Sequence, residues 1–356
     1  MKKAKNLIDL RSDAVAKPCV NMLAGMMAAE VGDDQYQDDR ETNLLQEEIA
    51  QELGKESALW VPSGTMANQI ALRVATNPGD DVIVSTQSHA VWHEAGAGAA
   101  NASVQFTEIG SAGRFAASDF EDAIKPRNHH IYPPTTMVQV ENTHNRCGGG
   151  VFDFEVLIAI CDLAKSAGVF SYLDGARLWN AAIFGGQSVA ALAAPFDAVM
   201  VSMSKGLGAP GGSVLAGNAD FIQSAIRQRR MLGGAMRQTG YYAAAGRFAL
   251  KNNIARLFED HAHAGQMARL VNESQYIELD VSSVCTNIVV FKLNEWAISA
   301  FSLVAALKEH GVLVNALDNR TIRLVSHLGV DEKDCIFAAN AVVRLVEEMS
   351  ANTASL

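Results

Sequence analysis

Short apolar runs alternate with amphipathic segments along most of the chain, and this rhythm limits the folds open to it. VIVST (82–86), VQFTEI (104–109), MVQVEN (137–142), FSYLD (170–174), AVMVSMS (198–204) and GSVLAG (212–217) have strand length and are largely apolar. Between them lie segments such as FEVLIAICDLAKSAG (154–168), where apolar residues recur at helical spacing up to a glycine stop. Strands apolar on both faces and joined through helices predict an α/β protein with a mostly parallel sheet covered on both sides. Functional residues then belong at the carboxyl ends of the strands.

From about Tyr241 the pattern changes to one long helical stretch, YYAAAGRFALKNNIARLFEDHAHAGQMARLV. IVVFKL (288–293), FSLVAALKEHG (301–311), VLVNAL, TIRLVSH (321–327) and a last helix from Asp331 follow it. The expected organisation is a large domain over 1–245 and a smaller α+β domain over 246–356, with no internal repeat or low-complexity linker. At 356 residues and 49% hydrophobic, the chain can bury a core of that size. A net charge of −10 argues against nucleic acid as a partner. The one dense cationic run, Arg227 to Arg230 with Arg237 close behind, reads by itself as a solvated helix face. Five cysteines without CxxC spacing fit a reducing compartment and give no disulfide or zinc framework. MKKAKNLIDL lacks a signal-peptide run and no stretch has membrane-spanning length, so a cytoplasmic protein with no membrane contact is expected.

Chemistry enters with SMSKGLGAPGG (202–212). Lys205 follows an apolar strand and precedes Gly206, Gly208, Gly211 and Gly212. An amine held at a strand end, facing a pocket, can be desolvated and form an imine with an aldehyde cofactor. Taken alone it is equally an ordinary loop lysine. Asp174, at the end of FSYLD, changes the weighing: pyridoxal phosphate needs a lysine for its aldehyde and a carboxylate for its ring nitrogen. VPSGTMANQIALRVA (61–75) reads as a turn feeding a helix. Ser63, Gly64 and Thr65 offer hydroxyls and N–H groups at its positive end, which suits a phosphate, or simply caps the helix. GxxxxGK[ST] does not match here, so a nucleotide phosphate loop is not expected.

These segments, with DLRSD (9–13), EVGDDQY (30–36), SHAVWHEAG (88–96), VENTHN (140–145), LDGARL (173–178), MLGGAMRQTG (231–240) and IRLVSH (322–327), resemble the L-threonine aldolases in order and over nearly the whole length. That family, low-specificity or L-allo-threonine-specific, belongs to the aspartate-aminotransferase-like pyridoxal-phosphate enzymes. The resemblance implies that Lys205 is the Schiff-base lysine and Asp174 the partner of the ring nitrogen, staying ionised beside that cation. It assigns the phosphate to Ser63, Gly64 and Thr65, with Arg237 adding charge from a neighbouring subunit of a homotetramer. His89 would stack on the cofactor ring and reach the substrate hydroxyl. Ser12, Arg177 and Arg323 would hold the amino-acid carboxylate, Arg177 also touching the cofactor, and Tyr36 would line the same pocket. No metal ligand is implied.

The chain departs from the family where the aldehyde portion of a substrate is contacted. Ile131, with His129 and His130 just upstream, stands where a histidine is frequent, and His93 where an aromatic is common. Two other histidine sites are weak: His261 and His263 point to different helix faces, and His144 reads as a turn residue. The activity implied is cleavage of a β-hydroxy-α-amino acid to glycine and an aldehyde. A β-eliminating lyase would use the same lysine and aspartate, and a racemase or aminotransferase fits the same fold. A regulatory protein on this fold would be expected to lose the lysine or the arginines, or to add a DNA-binding module; neither is seen.

Overall fold

The computed structural model describes residues 7–353. The chain enters through a two-residue strand, β1 (Ile8–Asp9), and then builds a seven-stranded sheet. Its strands are β2 (Ser57–Val61), β3 (Asp81–Ser85), β4 (Gln105–Ile109), β5 (Thr135–Glu141), β6 (Phe170–Gly175), β7 (Ala198–Ser202) and β8 (Ser213–Gly217). They lie in the order β2-β8-β7-β6-β5-β3-β4, and every pairing is parallel except the two made by β8.

Period-2 alternation sends successive residues to two separate cores. Trp60, Ile83, Val138, Leu173, Val199 and Val201 pack on one face with Leu45 and Leu157 of the helices Arg40–Leu53 and Phe154–Ala167. Leu59, Val82, Met137, Tyr172 and Met200 pack on the other with Ile70 and Phe221 of the helices Gly64–Ala75 and Ala219–Met231. Each such side chain contributes roughly 1.5–3 kcal/mol on burial. The central strands are therefore largely apolar on both faces. Gly168, at φ 66, ends the Phe154–Ala167 helix where the glycine stop was expected.

A second body follows, with β9 (Ile277–Glu278), β10 (Ile288–Leu293), β11 (Val312–Leu313), β12 (Asn315–Ala316) and β13 (Thr321–Val325). An antiparallel sheet, β12-β13-β10-β9, packs with the helices Leu257–Val271, Ala300–Glu309 and Glu332–Thr353 around Ala264, Phe291, Leu303, Leu324 and Val342. β1 pairs in parallel with β11, and Leu10 lies in this second core, so the start of the chain is tied to its last third.

The helical stretch expected from Tyr241 is two helices, Gly240–Asn252 and Leu257–Val271. The break falls at Asn252 and Asn253, both poor helix formers, where the Asn253 side chain donates to the Leu207 carbonyl at 2.7 Å. The division expected at 245/246 falls inside the first helix, which packs on the helices Val20–Met27 and Arg40–Leu53. The second core takes over at Ala264. Among the described residues no helix is long and apolar enough to cross a membrane.

Candidate active site

Five parallel strands deliver their carboxyl ends to one edge of the large sheet, and each carries a polar group there. β2 runs into Ser63, β3 into His89, β5 ends on Glu141, β6 carries Asp174 and β7 leads to Lys205. Glu141 and Asp174 are register partners on adjacent strands, which brings two buried carboxylates together.

Lys205 is half-buried. Burial, then the nearby Arg177 charge, pulls its amine below the ordinary lysine range, against the pull of Asp174, Asp13 and Glu141. A lysine so placed has a larger neutral, nucleophilic fraction than one in water. Asp174 accepts from Asn68 Nδ2 at 2.9 Å and from the Ala176 N–H at 3.1 Å. Burial and Glu141 push its carboxyl up, while Lys205, His89 and the Asn68 bond pull it down. The resemblance implies a carboxylate that stays ionised beside the ring-nitrogen cation. In the protein by itself that ionisation depends on a cation beside it, which is the role a protonated ring nitrogen would fill.

The imidazole of His89 is fixed from two sides. Its Nδ1 lies 2.9 Å from Glu94 Oε1, and its backbone N–H donates to Glu141 Oε2 at 2.7 Å. Burial opposes the imidazolium, but the Glu94 bond and Asp174 outweigh it and hold the His89 pKa above its usual value. His89, Glu94 and Asp174 offer three ligand atoms within 4.8 Å of one another. The two carboxylates already accept N–H bonds from Asn68 and Gln69, a relay of donors rather than an open ligand cage.

A phosphate would meet a prepared cradle at Ser63–Thr65. Ser63 caps the Gly64–Ala75 helix by accepting from the Met66 N–H at 3.2 Å, which leaves the first-turn N–H groups of Gly64 and Thr65 to face outward. A Cβ on Gly64 would stand 3.2 Å from Met200 Cε and 3.6 Å from Ser213 Oγ. The Ser213 hydroxyl is buried with no hydrogen-bond partner among the described residues, an orphaned donor beside that turn.

Arg177 and Arg323, the two arginines expected at a substrate carboxylate, are brought together. Arg177 and Arg323 converge on one acceptor, Asn145 Oδ1, at 3.3 and 3.1 Å. Arg177 is also gripped by buried Asp13, through Nε at 2.7 Å and Nη2 at 2.8 Å. Arg323 donates to the Arg11 carbonyl, but its buried Nε has no partner among the described residues. Burial and the Arg177 charge bring the Arg323 pKa down to about 10. Two guanidinium groups with one carboxylate between them leave an anion deficit that a substrate carboxylate would fill. Ser12, beside Asp13 and Arg11, caps a short turn by accepting from the Ala14 N–H at 3.2 Å.

Not every expected residue is gathered in one chain. Tyr36 is 71% exposed and does not line this pocket. It lies within electrostatic reach of Arg237, which pairs with Asp33 at 2.6 Å on the surface. The physical reason is local: Asp33 caps the single turn Asp34–Tyr36, and Asp39 caps the helix Arg40–Leu53 that follows it. The Arg237 loop nonetheless borders the cradle, since a Cβ on Gly234 would collide with Met66 Sδ. His93 packs its ring 5.5 Å from that of His89, and Arg146 lies 4.6 Å over the Trp92 ring. Ile131 is 69% exposed, beside stacked His129 and His130. His144 is a buried turn residue, donating its N–H to Gly150 and accepting from the Cys147 N–H. His261 bonds Asn180 at 3.1 Å, so it is a packed histidine.

The family model described as beta-eliminating lyase matches residues 9–294. The low specificity L-threonine aldolase of Escherichia coli (strain K12) is 40% identical over 329 residues, spanning 92% of this chain and 96% of that protein. Low-specificity L-threonine aldolase 1 of Arabidopsis thaliana is 37% identical, over 92% of this chain and 93% of that one. A solved Leishmania major threonine aldolase superposes with a TM-score of 0.78 at 22% identity, covering 95% of this chain and 99% of that chain.

Proposed function

Because this chain belongs to the beta-eliminating lyase family, we propose that it is a pyridoxal-phosphate-dependent aldehyde-lyase. It cleaves L-threonine, L-allo-threonine and related β-hydroxy-α-amino acids to glycine and an aldehyde. The observation that carries this reading is the meeting of Lys205, Asp174, the Gly64–Thr65 turn and the Arg177–Arg323 pair at one edge of the sheet. Pyridoxal phosphate, bound through Lys205, supplies an electron sink for the pair released when the Cα–Cβ bond breaks.

The chain's own residues set which bond that is. Asp174 would keep a ring nitrogen protonated, and Ser63, Gly64, Thr65 and Ser213 would hold the phosphate. Arg323, through its free Nε, and Arg177 clamp the substrate carboxylate with help from Ser12. A carboxylate fixed at that point leaves Cα–Cβ as the bond aligned for cleavage, which is positional catalysis. His89 accepts the β-hydroxyl proton at Nε2, the nitrogen not engaged by Glu94.

Tyr36 and Arg237 act, in this reading, in the site of a neighbouring copy within a homo-oligomer, a dimer of dimers. Their exposure supports it, as does the Val20–Met27 helix, whose Val20 and Met27 are 80% and 87% exposed. Five free cysteines support a reducing, cytoplasmic location. The test is borohydride reduction of the loaded protein followed by peptide mapping. Cofactor fixed on Lys205 supports the assignment; cofactor on another lysine, or on none, overturns it.

A further inference from the structure

We propose that Glu94 is a positioning residue for His89, holding the ring by Nδ1–H so that Nε2 is the nitrogen free to accept the substrate hydroxyl proton. This rests on the reading of His89 as the base. Glu94 follows His89 by five residues, across the short helix His89–Trp92, and is buried. Its Oε1 lies 2.9 Å from His89 Nδ1 and also accepts from Asn68 Nδ2 at 2.7 Å. Its Oε2 accepts from Gln69 Nε2 at 2.8 Å. With amide N–H groups already directed at both oxygens, the carboxylate faces the imidazole as an acceptor. The hydrogen on that contact therefore belongs to Nδ1.

The amides are themselves fixed. Asn68 sends its second N–H to Asp174 Oδ2 at 2.9 Å, and its Oδ1 accepts from the Tyr172 hydroxyl at 2.8 Å. A flipped Asn68 would set its oxygen against two carboxylates, so the network has one orientation. One amide thus bridges the group that orients the base and the group that would hold the ring nitrogen. The charged and titratable groups facing His89 are Glu94, Asp174, Lys205, Glu141 and His93. Among the described residues, Glu94 alone accepts a bond from its ring.

The test uses cofactor-loaded protein and the conservative pair Glu94→Gln and Glu94→Asp. In Glu94→Gln the stabilisation of the imidazolium is removed, so the acid limb of kcat/KM for L-allo-threonine moves to lower pH by about one unit. At the same time kcat falls on the order of tenfold to a hundredfold while KM holds. Glu94→Asp, which keeps the charge, retains the wild-type limb. Nitrogen-15 spectra of histidine-labelled protein, with His89 identified by its loss in His89→Gln, give a readout independent of turnover. The wild type shows His89 protonated on Nδ1 and bare on Nε2, and Glu94→Gln shows mixed tautomers. A wild-type His89 protonated on Nε2, or a Glu94→Gln protein with an unmoved limb, overturns the proposal. Cleavage that survives His89→Gln would instead overturn the assignment of the base, while the tautomer measurement still decides the role of Glu94.

Discussion

Arg177 and Asp13, 164 residues apart in sequence, meet in a two-point contact inside the protein, Nε to Oδ2 at 2.7 Å and Nη2 to Oδ1 at 2.8 Å. Burial opposes the Asp13 charge, but the guanidinium more than offsets it and holds the carboxyl well below the ordinary range. The contact leaves Nη1 of Arg177 directed at Asn145. Asp13→Asn removes one charge of a buried pair, a loss of about 3–5 kcal/mol of stability. Urea unfolding near neutral pH should show that loss, with KM for the amino acid rising more than kcat falls.

The free Nε of Arg323 gives a second expectation. Arg323→Lys keeps a cation but loses the planar fork, so KM for L-threonine should rise by about tenfold or more, equivalent to about 1.4 kcal/mol of binding. Cofactor affinity should stay unchanged. Steady-state kinetics beside cofactor titration separate the two, and a lowered cofactor affinity with normal KM would move Arg323 out of the substrate site.

Acid stability should carry the mark of His261. Burial lowers its pKa to about 4, below the usual value of 6.5. Between those two values the unfolded chain binds a proton that the folded protein does not. Stability therefore falls as pH drops from about 6.5 to 4, by on the order of 3 kcal/mol at most. Asp13 adds nothing in that window, since a depressed carboxyl costs stability only as pH falls below about 4. His261→Gln should flatten the loss between pH 6.5 and 5 in urea titrations.

Arg237 is tied in one chain only to Asp33 and Gln35 at the surface. If it serves the cradle of a neighbouring copy, Arg237→Ala should release cofactor more readily while its melting temperature without cofactor stays near wild type. Equilibrium dialysis measures the first and calorimetry the second. Cofactor retention equal to wild type would remove Arg237 from the site.

Residues standing at strand ends were legible because the sheet itself dictates where they point. Lys205, Asp174 and Ser63 each follow an apolar run of strand length, and the parallel sheet carries all of them to one edge. Ser57–Val61 escaped notice because it runs directly into the VPSG turn, with no breaker between strand and motif. Partners contributed by distant segments stayed hidden for a different reason. Asp13 lies in a motif singled out through Ser12, but nothing in DLRSD says which acid meets Arg177. Asn68 and Gln69 sit in a helix and Glu94 in the bend after one, places where polar residues ordinarily face solvent, and only the folded core turns them inward. Tyr36, expected at the pocket wall, is 71% exposed in this chain.

Product identification tests the central claim most directly. Cofactor-loaded protein is mixed separately with L-threonine and L-allo-threonine, and the products are separated and identified. The account predicts glycine and acetaldehyde in equal amounts from at least one of the two, with formation abolished in Lys205→Ala. Ammonia with 2-oxobutyrate would mean that the same lysine and aspartate break the Cβ–oxygen bond instead, and would contradict it.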